Sequence, residues 1–287
     1  AVVTDLRIQE QTVTGVRCED GTEYFSKHVV IACGGMSYPA TGSTGDGYRL
    51  AQQAGHTITE LRPSLVSLVA NGKDCPALQG LSLKNVAIHV TDTKKKKEIY
   101  DDFGEMMFTH YGVTGPMILS ASSHMRTMEP NRYQISIDLK PALSLEQLDT
   151  RLQKDFAENQ NKDFINSLGA LLPRKLIPVM VAKSGIAPNQ KCNQITKEQR
   201  RRFAQELKGF NVMIKGFRPI DEAIITSGGV SVKEISPKTM ESKLVKGLYF
   251  AGEVIDADAY TGGFNLQIAF STGYLAATAI AQAQWEM

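Results

Sequence analysis

The sequence has few cysteines and no marked excess of charge of either sign. Its four cysteines, Cys18, Cys33, Cys75 and Cys192, are far apart and form no C-x-x-C pair. Neither a zinc site nor a disulfide framework is therefore indicated, and this usage fits a reducing cytoplasm. The formal net charge is only +2, whereas nucleic-acid-binding proteins usually show a basic excess or stripe. We therefore expect a cytoplasmic protein with no nucleic-acid partner.

Long apolar segments are also missing. Pro, Lys or Arg interrupts each apolar run well before the roughly 20 residues that a membrane-spanning helix needs. No charged segment followed by an apolar one opens the sequence, so we predict neither a secretory leader nor membrane contact. Of the 287 residues, 42% are hydrophobic and 22% are charged. This composition is typical of a globular protein with a sizeable core and two or three structural units.

The first part of the chain has the pattern of an α/β protein. Three alternating runs, "AVVTDLRIQ", "TVTGVRCE" and "EYFSKHVVIACGG", predict a β-meander with a turn at Asp20-Gly21. The stretch from His28 to Cys33 predicts a buried strand that ends at Gly34-Gly35, where a backbone can approach a ligand closely. A glycine-rich loop follows, and a helix is predicted to begin at Asp46. The order strand, loop, helix is α/β in character.

The middle of the chain changes first to short strands and then to helices. From Pro63 we predict the strands "SLVSLVA", "LKNVAIHVTD", "KEIYDDF", "GEMMFTH" and "RYQISIDLKP", with a short helix at "GPMILSASSHM". Three helices are predicted next, at "SLEQLDTRLQKDFAEN", "FINSLGALLPRKLIPVMVAKSG" and "TKEQRRRFAQELKGF". Ser144 with Gln147 and Thr196 with Gln199 have the spacing of capping boxes. Strands resume after about Asn211 with "NVMIKGF", "EAIITSGGVSV" and "GLYFAGE".

The carboxyl-terminal stretch "GLYFAGEVIDADAYTGGFNLQIAFSTG" has the pattern of a cofactor site. Glu253 follows a buried strand, at the strand end where ligands bind in open α/β sheets, and its carboxylate can accept hydrogen bonds from sugar or ribityl hydroxyls. Gly262 and Gly263 precede a helix predicted to begin near Asn265, whose free amides favour a phosphate or an electron-rich ring edge. Two simpler readings stay open: an ordinary turn acid, and a buried helix that needs glycines only for packing.

Four segments together resemble a known family: "VVIACGGMSYPATGSTGDGYRLAQQAGH", "FTHYGVTGPMILSAS", "ITSGGVSVKEISPKTMES" and the carboxyl-terminal stretch. The sequence resembles bacterial NAD(P)/FAD-dependent oxidoreductases, a group with aminoacetone-oxidase-like and bile-acid-reductase-like flavoproteins. The resemblance spans nearly the whole chain. It implies a multidomain α/β and α+β fold, in which a two-dinucleotide-type FAD-binding domain carries an inserted β-barrel-like domain and a small helical domain.

The resemblance also implies domain bounds and cofactor contacts. We predict FAD-binding segments at residues 1–62 and 220–287, a β-barrel-like domain at 63–142 with a return strand at 209–219, and a helical domain at 143–208. Glu253 is expected to meet the ribityl chain, and the amides of Asn265 and Leu266 the pyrimidine edge. The predicted cofactor-binding residues are Gly34, Gly35, Gly252, Glu253, Gly262, Gly263, Asn265, Leu266 and Gln267. No catalytic residue is assigned.

Two features depart from the family pattern. The amino-terminal βαβ unit with G-x-G-x-x-G, which holds the ADP part of FAD, is absent, since Gly42, Gly45 and Gly47 follow the reverse order. Cys33 also stands where the family usually has threonine. The chain therefore looks like a fragment of a FAD-dependent oxidoreductase that acts on a small organic substrate, with NAD(P)H as a possible electron donor. We expect this chain alone to lose FAD on purification and to be inactive.

Other interpretations compete with this one. The missing ADP-binding half favours a non-catalytic binding or regulatory remnant, while the near-neutral charge argues against a flavin-dependent RNA-modifying enzyme. The run Lys94–Lys97 is interpreted as a solvated hairpin tip, and Arg200–Arg202 as the wet face of a helix. His110 and Tyr111 fit a structural corner better than a proton donor. Asp256 and Asp258 lack a third ligand, so no metal is predicted.

Overall fold

The computed structural model describes residues 1–285, which divide into two compact units. Unit 1 consists of Ala1–Val66 and the described part of Arg218–Met287, and unit 2 is Ser67–Phe217. The two ends of the chain thus share one unit. The predicted fold class, a mixed α/β protein with an inserted β-barrel, is confirmed. The assignment of the barrel strands and the helices to separate domains stays a prediction.

Strands and helices are numbered in chain order. The strands are β1 (Val3–Gln9), β2 (Thr12–Cys18), β3 (Glu23–Phe25), β4 (Val29–Ile31), β5 (Arg62–Ser64), β6 (Leu68–Ala70), β7 (Ser82–Asp92), β8 (Lys97–Phe108), β9 (Gly112–Thr114), β10 (Tyr133–Asp138), β11 (Phe210–Phe217), β12 (Ile225–Ser227) and β13 (Leu248–Phe250). The helices are α1 (Asp46–Gln53), α2 (Asp74–Ala77), α3 (Pro116–His124), α4 (Leu145–Glu158), α5 (Phe164–Ser167), α6 (Ile177–Ser184), α7 (Lys197–Lys208) and α8 (Phe264–Trp285).

Within the described residues, unit 1 contains three small sheets. β1, β2 and β3 form the predicted antiparallel meander, and Asp20 accepts a hydrogen bond from the Thr22 amide in the turn between β2 and β3. β5 pairs antiparallel with β12, and β4 pairs parallel with β13. A buried cluster that includes Ile31, Tyr48 and Phe250 joins β1, β2, β4 and β13 to α1.

The strand predicted from His28 to Cys33 is shorter and less buried than expected. β4 spans Val29–Ile31, Val30 is 42% exposed, and Cys33 is exposed. Within the described residues β4 belongs to a two-stranded sheet with β13. Because parallel strands reach full burial only when neighbours cover both faces and both edges, a continuous apolar run here does not produce a buried strand.

Unit 2 contains a closed barrel with the strand order β10-β11-β6-β9-β8-β7. The segments "KEIYDDF" and "GEMMFTH", predicted as two strands, form the single strand β8. Gly104 lies inside this strand, and a register shift occurs in its pairing with β7. A glycine in a strand often marks such an irregularity rather than a chain turn, which explains the wrong division.

The helices of unit 2 follow their capping signals. In α4 the Ser144 side chain accepts from the Gln147 amide, and in α7 the Thr196 side chain accepts from the Gln199 amide, so both predicted capping boxes are confirmed. The predicted helix "FINSLGALLPRKLIPVMVAKSG" is wrong as one element. It is divided into α5, a short 3-10 turn and α6, because Pro173 lacks the amide that a continuous helix needs. Within residues 1–285, no helix combines the length and apolarity needed to cross a membrane.

Candidate functional site

The carboxyl ends of β4 and β13 lie side by side in unit 1. Ile31 pairs with Phe250 in parallel register, and the Ala251 amide donates to the Ile31 carbonyl at 3.0 Å. The chain then continues to Gly34-Gly35 from one strand and to Gly252-Glu253 from the other. These two glycine-containing turns are therefore neighbours, as predicted, at the strand ends where α/β sheets bind ligands.

Glu253 joins three separate segments of unit 1. Its Oε1 accepts a hydrogen bond from the Thr226 amide at 2.7 Å and another from Ser37 Oγ at 3.1 Å. Within the described residues its Oε2 accepts no hydrogen bond. One carboxylate oxygen thus fixes the local fold, and the second stays available for a ligand hydroxyl. The predicted ligand contact of Glu253 stays a prediction, while its role in holding the site together was not expected from the sequence.

Thr226 holds the turn that follows β4. Its Oγ1 accepts hydrogen bonds from the amides of Met36 at 2.8 Å and Ser37 at 3.1 Å. Thr226 is 2% exposed and Ser37 is 4% exposed, so the bond to Ser37 satisfies a buried amide and the bond to Met36 a partly buried one. We call residues 34–37, Thr226 and Glu253 the Glu253 cradle. The segment "ITSGG" was part of the family resemblance, but nothing in the pattern alone assigned Thr226 a role.

Gly35 is required for the cradle to close. A Cβ atom at this position would lie 2.5 Å from Thr226 Oγ1 and 2.7 Å from Glu253 Oε1. Both distances are shorter than any side chain tolerates, and both atoms are committed to hydrogen bonds. The adjacent Gly34 has a φ of +74°, a conformation that residues with a Cβ adopt rarely. The Gly34-Gly35 pair is thus explained by close approach and by backbone conformation.

Helix α8 begins beside the cradle. Gly262 and Gly263 have φ values of +101° and +91°, and the helix starts at Phe264, close to the predicted Asn265. The Gln267 amide donates to the Gly263 carbonyl at 3.0 Å, so the preceding amides of the first turn have no intrahelical acceptor. These amides and the positive end of the helix dipole favour an anion or an electron-rich edge.

The Asn265 side chain has a structural role. Its Oδ1 accepts from the Ala259 amide at 2.8 Å, and its Nδ2 donates to the carbonyls of Ala259 at 2.9 Å and Tyr260 at 3.2 Å. The side chain therefore clamps the loop that precedes α8. Only the backbone amide of Asn265 is left for a ligand, as the predicted role requires.

A cavity of about 480 Å³ lies between these elements of unit 1. Five of the nine predicted cofactor residues line it, namely Glu253, Gly262, Gly263, Asn265 and Leu266. Gly34, Gly35 and Gly252 belong to the adjoining strand ends. The Gln267 side chain is not part of the lining and donates to Ser271 Oγ at 3.0 Å along the exposed side of α8.

Tyr48 brings an unpaired hydroxyl close to the cradle. The residue is 5% exposed, and its hydroxyl has no hydrogen-bond partner within the described residues. Burial, followed by the negative charges of Glu253 and Asp256, raises the pKa of this phenol well above its usual range. A buried donor without a partner is costly. The free Glu253 oxygen and the glycine-lined cavity are features that fit a bound polyhydroxyl cofactor, whereas Tyr48 is not among the residues that line this cavity.

One face of α8 is apolar but exposed. Leu266 is 63%, Phe270 69% and Tyr274 73% exposed, whereas Ala276 on another side is buried. The simpler reading of α8 as a buried helix is wrong for this face within the described structure.

The remaining candidate residues lie outside this constellation. His110 and Tyr111 stack edge to face at 4.9 Å in the turn between β8 and β9 of unit 2. Asp258 accepts a hydrogen bond from Ser227 Oγ at 3.0 Å and so holds the loop before α8. The run Lys94–Lys97 lies at the tip of the hairpin formed by β7 and β8, as predicted.

Comparisons with known proteins identify the family of the chain. The family described as HI0933-like protein Rossmann domain matches residues 1–279. The chain is 30% identical over 97% of its length to a 3-dehydro-bile acid delta(4,6)-reductase of Clostridium scindens. It is 32% identical, over 96% and 87% of its length, to ribosomal RNA dihydrouridine synthases of Haemophilus influenzae and Escherichia coli.

The lengths of these relatives differ from that of the chain. The chain spans 71% of the bile-acid reductase. It spans 66% and 59% of the two dihydrouridine synthases, which is less than two thirds of each. The names of the relatives are those of oxidoreductase-type enzymes, and the resemblance to the flavoprotein oxidoreductase family is confirmed.

Proposed function

Since the chain belongs to the HI0933-like family of Rossmann-domain proteins, we propose that its unit 1 binds FAD and that the protein is a flavin-dependent reductase. The observation that carries this proposal is the Glu253 cradle, closed by Gly35 beside the start of α8. The free Oε2 of Glu253 would accept a hydrogen bond from the ribityl chain. The first amides of α8 would face the pyrimidine edge of the flavin.

The names of the relatives support a common reaction. Dihydrouridine arises from uridine by addition of two hydrogens to a carbon–carbon double bond that is conjugated to a carbonyl. A delta(4,6) double-bond system conjugated to a 3-keto group has the same electronic character. Reduced FAD supplies a hydride when bound, and a proton completes the saturation of the bond. We therefore propose that the substrate contains a carbon–carbon double bond conjugated to a carbonyl, and that NAD(P)H is the electron donor.

The residues of the chain would bind and orient the cofactor. Glu253 and Thr226 hold the turn after β4, so that the strand ends keep their spacing when the cavity is filled. The structure singles out no residue as the proton donor to the substrate.

A small organic molecule remains the first candidate substrate, and RNA is the second. One observation favours RNA: the net charge of +2 is the sum of a positive net charge on unit 2 and a negative net charge on unit 1. Residues 67–217 contain 22 of the 32 Lys and Arg residues but only 15 of the 30 Asp and Glu residues, an excess of seven positive charges. The rest of the chain contains 10 and 15, an excess of five negative charges. Near-neutrality of the whole chain is therefore no argument against a nucleic acid.

The reaction class is tested by single-turnover reoxidation under anaerobic conditions. The protein is mixed with FAD at a concentration that saturates the weakened site of this chain, reduced with NADPH and then exposed to a 4,6-dien-3-one steroid or to uridine-containing RNA. We expect one of the two to restore the visible flavin absorption faster than a protein-free control does. The saturated ketone and dihydrouridine-containing RNA serve as matched controls. Equal reoxidation by a substrate and its saturated control would contradict the proposed reaction.

A further inference from the structure

A group of lysines and arginines lies at one end of the barrel of unit 2. β7 ends at Asp92 where β10 begins at Tyr133, and β8 begins at Lys97 opposite Asp92. The Thr93 amide donates to the Arg132 carbonyl at 2.8 Å, and the Asn131 amide donates to the Ile214 carbonyl at 2.9 Å. These contacts bring six cations to one end, which we call the basic barrel end: Lys94, Lys95, Lys96, Lys97, Arg132 and Lys215.

Three carboxylates accompany these six cations. Asp92 binds the Arg132 guanidinium through Oδ2 at 3.0 and 3.1 Å, and Glu129 binds both Arg132 and Lys94. Glu98 Oε2 lies 3.1 Å from His89 Nδ1. Within residues 1–285 the four remaining lysines, Lys95, Lys96, Lys97 and Lys215, form no ion pair, and all are exposed. The surface therefore keeps an uncompensated positive charge.

The lysine turn is held in place by its backbone. Asp92 is 2% exposed, and its Oδ1 accepts hydrogen bonds from the amides of Lys94 and Lys95, both at 3.1 Å. The Asp92 carboxylate is in turn fixed by Arg132. The paired charges thus fix the turn, and the unpaired ammonium groups extend from a defined position into solvent.

We propose that the basic barrel end binds the phosphate backbone of an RNA. Lysine ammonium groups on flexible stems act as point charges, which suits phosphates better than base edges. The choice of RNA among polyanions rests on the second candidate substrate of the proposed function, because two relatives bear the name ribosomal RNA dihydrouridine synthase. The acidic unit 1 would repel the same backbone, so attraction is confined to unit 2.

The test is fluorescence anisotropy of the chain with a labelled stem–loop of ribosomal RNA at several KCl concentrations, without flavin or substrate. The triple variant Lys95→Gln, Lys97→Gln, Lys215→Gln removes three unpaired charges from the basic barrel end. Each lost phosphate contact should lower the affinity about five- to eightfold near 0.1 M salt and reduce the salt slope by about 0.7–0.9. We therefore expect a loss of roughly two orders of magnitude.

The matched control removes the same charge from the helical part of unit 2, at two positions in α7 and one in the connection between α4 and α5. Lys162→Gln, Lys197→Gln, Arg201→Gln changes three exposed cations that form no ion pair within the described part of the chain. This variant should keep most of the affinity. Equal loss in both variants would show that total charge alone governs binding and would overturn the proposed surface.

Two further outcomes would overturn the proposal. One is the absence of salt-dependent RNA binding by the unmodified chain. The other is binding of the unmodified chain to phosphatidylglycerol vesicles but not to RNA, which would assign the surface to a membrane. Because the assay contains no flavin, loss of reductase activity leaves its result unchanged. Conversely, flavin binding without RNA binding would leave the proposed reductase intact.

Discussion

Thr226 and Glu253 are separated by 27 residues in the chain, and the backbone amide of Thr226 donates to Glu253 Oε1 at 2.7 Å. The same Thr226 accepts two amides of the turn after β4 through its side chain. A strand pair and two turns, distant in sequence, are therefore held in one arrangement by a single carboxylate and a single hydroxyl. Loss of either group should disturb both turns.

The variant Thr226→Val keeps the shape of the side chain but removes the acceptor for the amides of Met36 and Ser37. Leaving buried amides without a partner costs about 1–3 kcal/mol each. We expect a clear loss of stability in urea unfolding. Thr226→Ser keeps the hydroxyl and should restore most of the loss. If Val and Ser variants are equally stable, the hydroxyl does not hold the turn.

The variants Glu253→Ala and Glu253→Gln separate the two roles of Glu253. Ala removes the acceptor of the Thr226 amide and the ribityl contact, so stability and flavin affinity should both fall. Gln keeps an oxygen that can accept from the Thr226 amide but loses the negative charge, so we expect mainly the flavin affinity to fall. Charged hydrogen bonds contribute about 1.5–3 kcal/mol, which corresponds to roughly one to two decades in affinity. Unchanged affinity of both variants in a fluorescence titration would refute the ligand role.

Stability should fall in mild acid because of His56. Its side chain is fully buried, with Nε2 2.7 Å from Ser242 Oγ and Nδ1 3.2 Å from Glu234 Oε2. Burial lowers the pKa of His56 below 6.5, and the Glu234 charge offsets only part of this effect. The folded state therefore keeps the imidazole neutral, while the unfolded state takes up a proton below about pH 6.5. The stabilisation is complete above that pH and is lost progressively below it.

The pH effect is measured by urea unfolding between about pH 5 and pH 7.5. Replacement His56→Gln should lower the stability at neutral pH, yet the further loss on acidification should become smaller. Carboxylates with lowered pKa values, such as Glu234, lose their contribution to stability at lower pH. They account for the pH dependence of stability that remains in the variant. An unchanged slope in the variant would exclude His56 as the titrating group.

Some of the fold could be predicted from local sequence and some could not. The capping boxes at Ser144 and Thr196 depend on residues three positions apart, so the sequence alone predicts them. The division of the helix around Pro173 and the continuity of β8 through Gly104 depend on tertiary context. The exposure of Val30 depends on which strands flank β4, and no local pattern contains that information.

The residues of the candidate site could likewise be predicted only where a local pattern marks them. Glu253, Gly262 and Gly263 were predicted because strand ends and glycine turns have a recognisable pattern. Thr226 was not, because its importance arises from a contact with amides about 190 residues earlier in the chain. The charge of the chain was misleading for a related reason: its average hides the difference between the units, which appears only when the unit bounds are known.

Flavin retention by the 287-residue chain should be low. The sequence contains no G-x-G-x-x-G turn to hold the pyrophosphate of FAD at a helix amino terminus. If the missing contacts contribute about 4 kcal/mol, the affinity is reduced roughly a thousandfold. We therefore expect freshly purified chain to show no visible flavin absorption. Stoichiometric bound FAD in that spectrum would show that the contacts present are sufficient.

The most direct test of the flavin site is a titration of FAD fluorescence with this chain and with two glycine variants. In Gly35→Ala the new Cβ would lie 2.5 Å from Thr226 Oγ1 and would displace the cradle, whereas in Gly273→Ala it meets no atom within 4 Å. We expect weak but saturable quenching at one FAD per chain, retained by Gly273→Ala and lost in Gly35→Ala. No saturable quenching by the unmodified chain, or equal binding by Gly35→Ala, would contradict a flavin site at the Glu253 cradle.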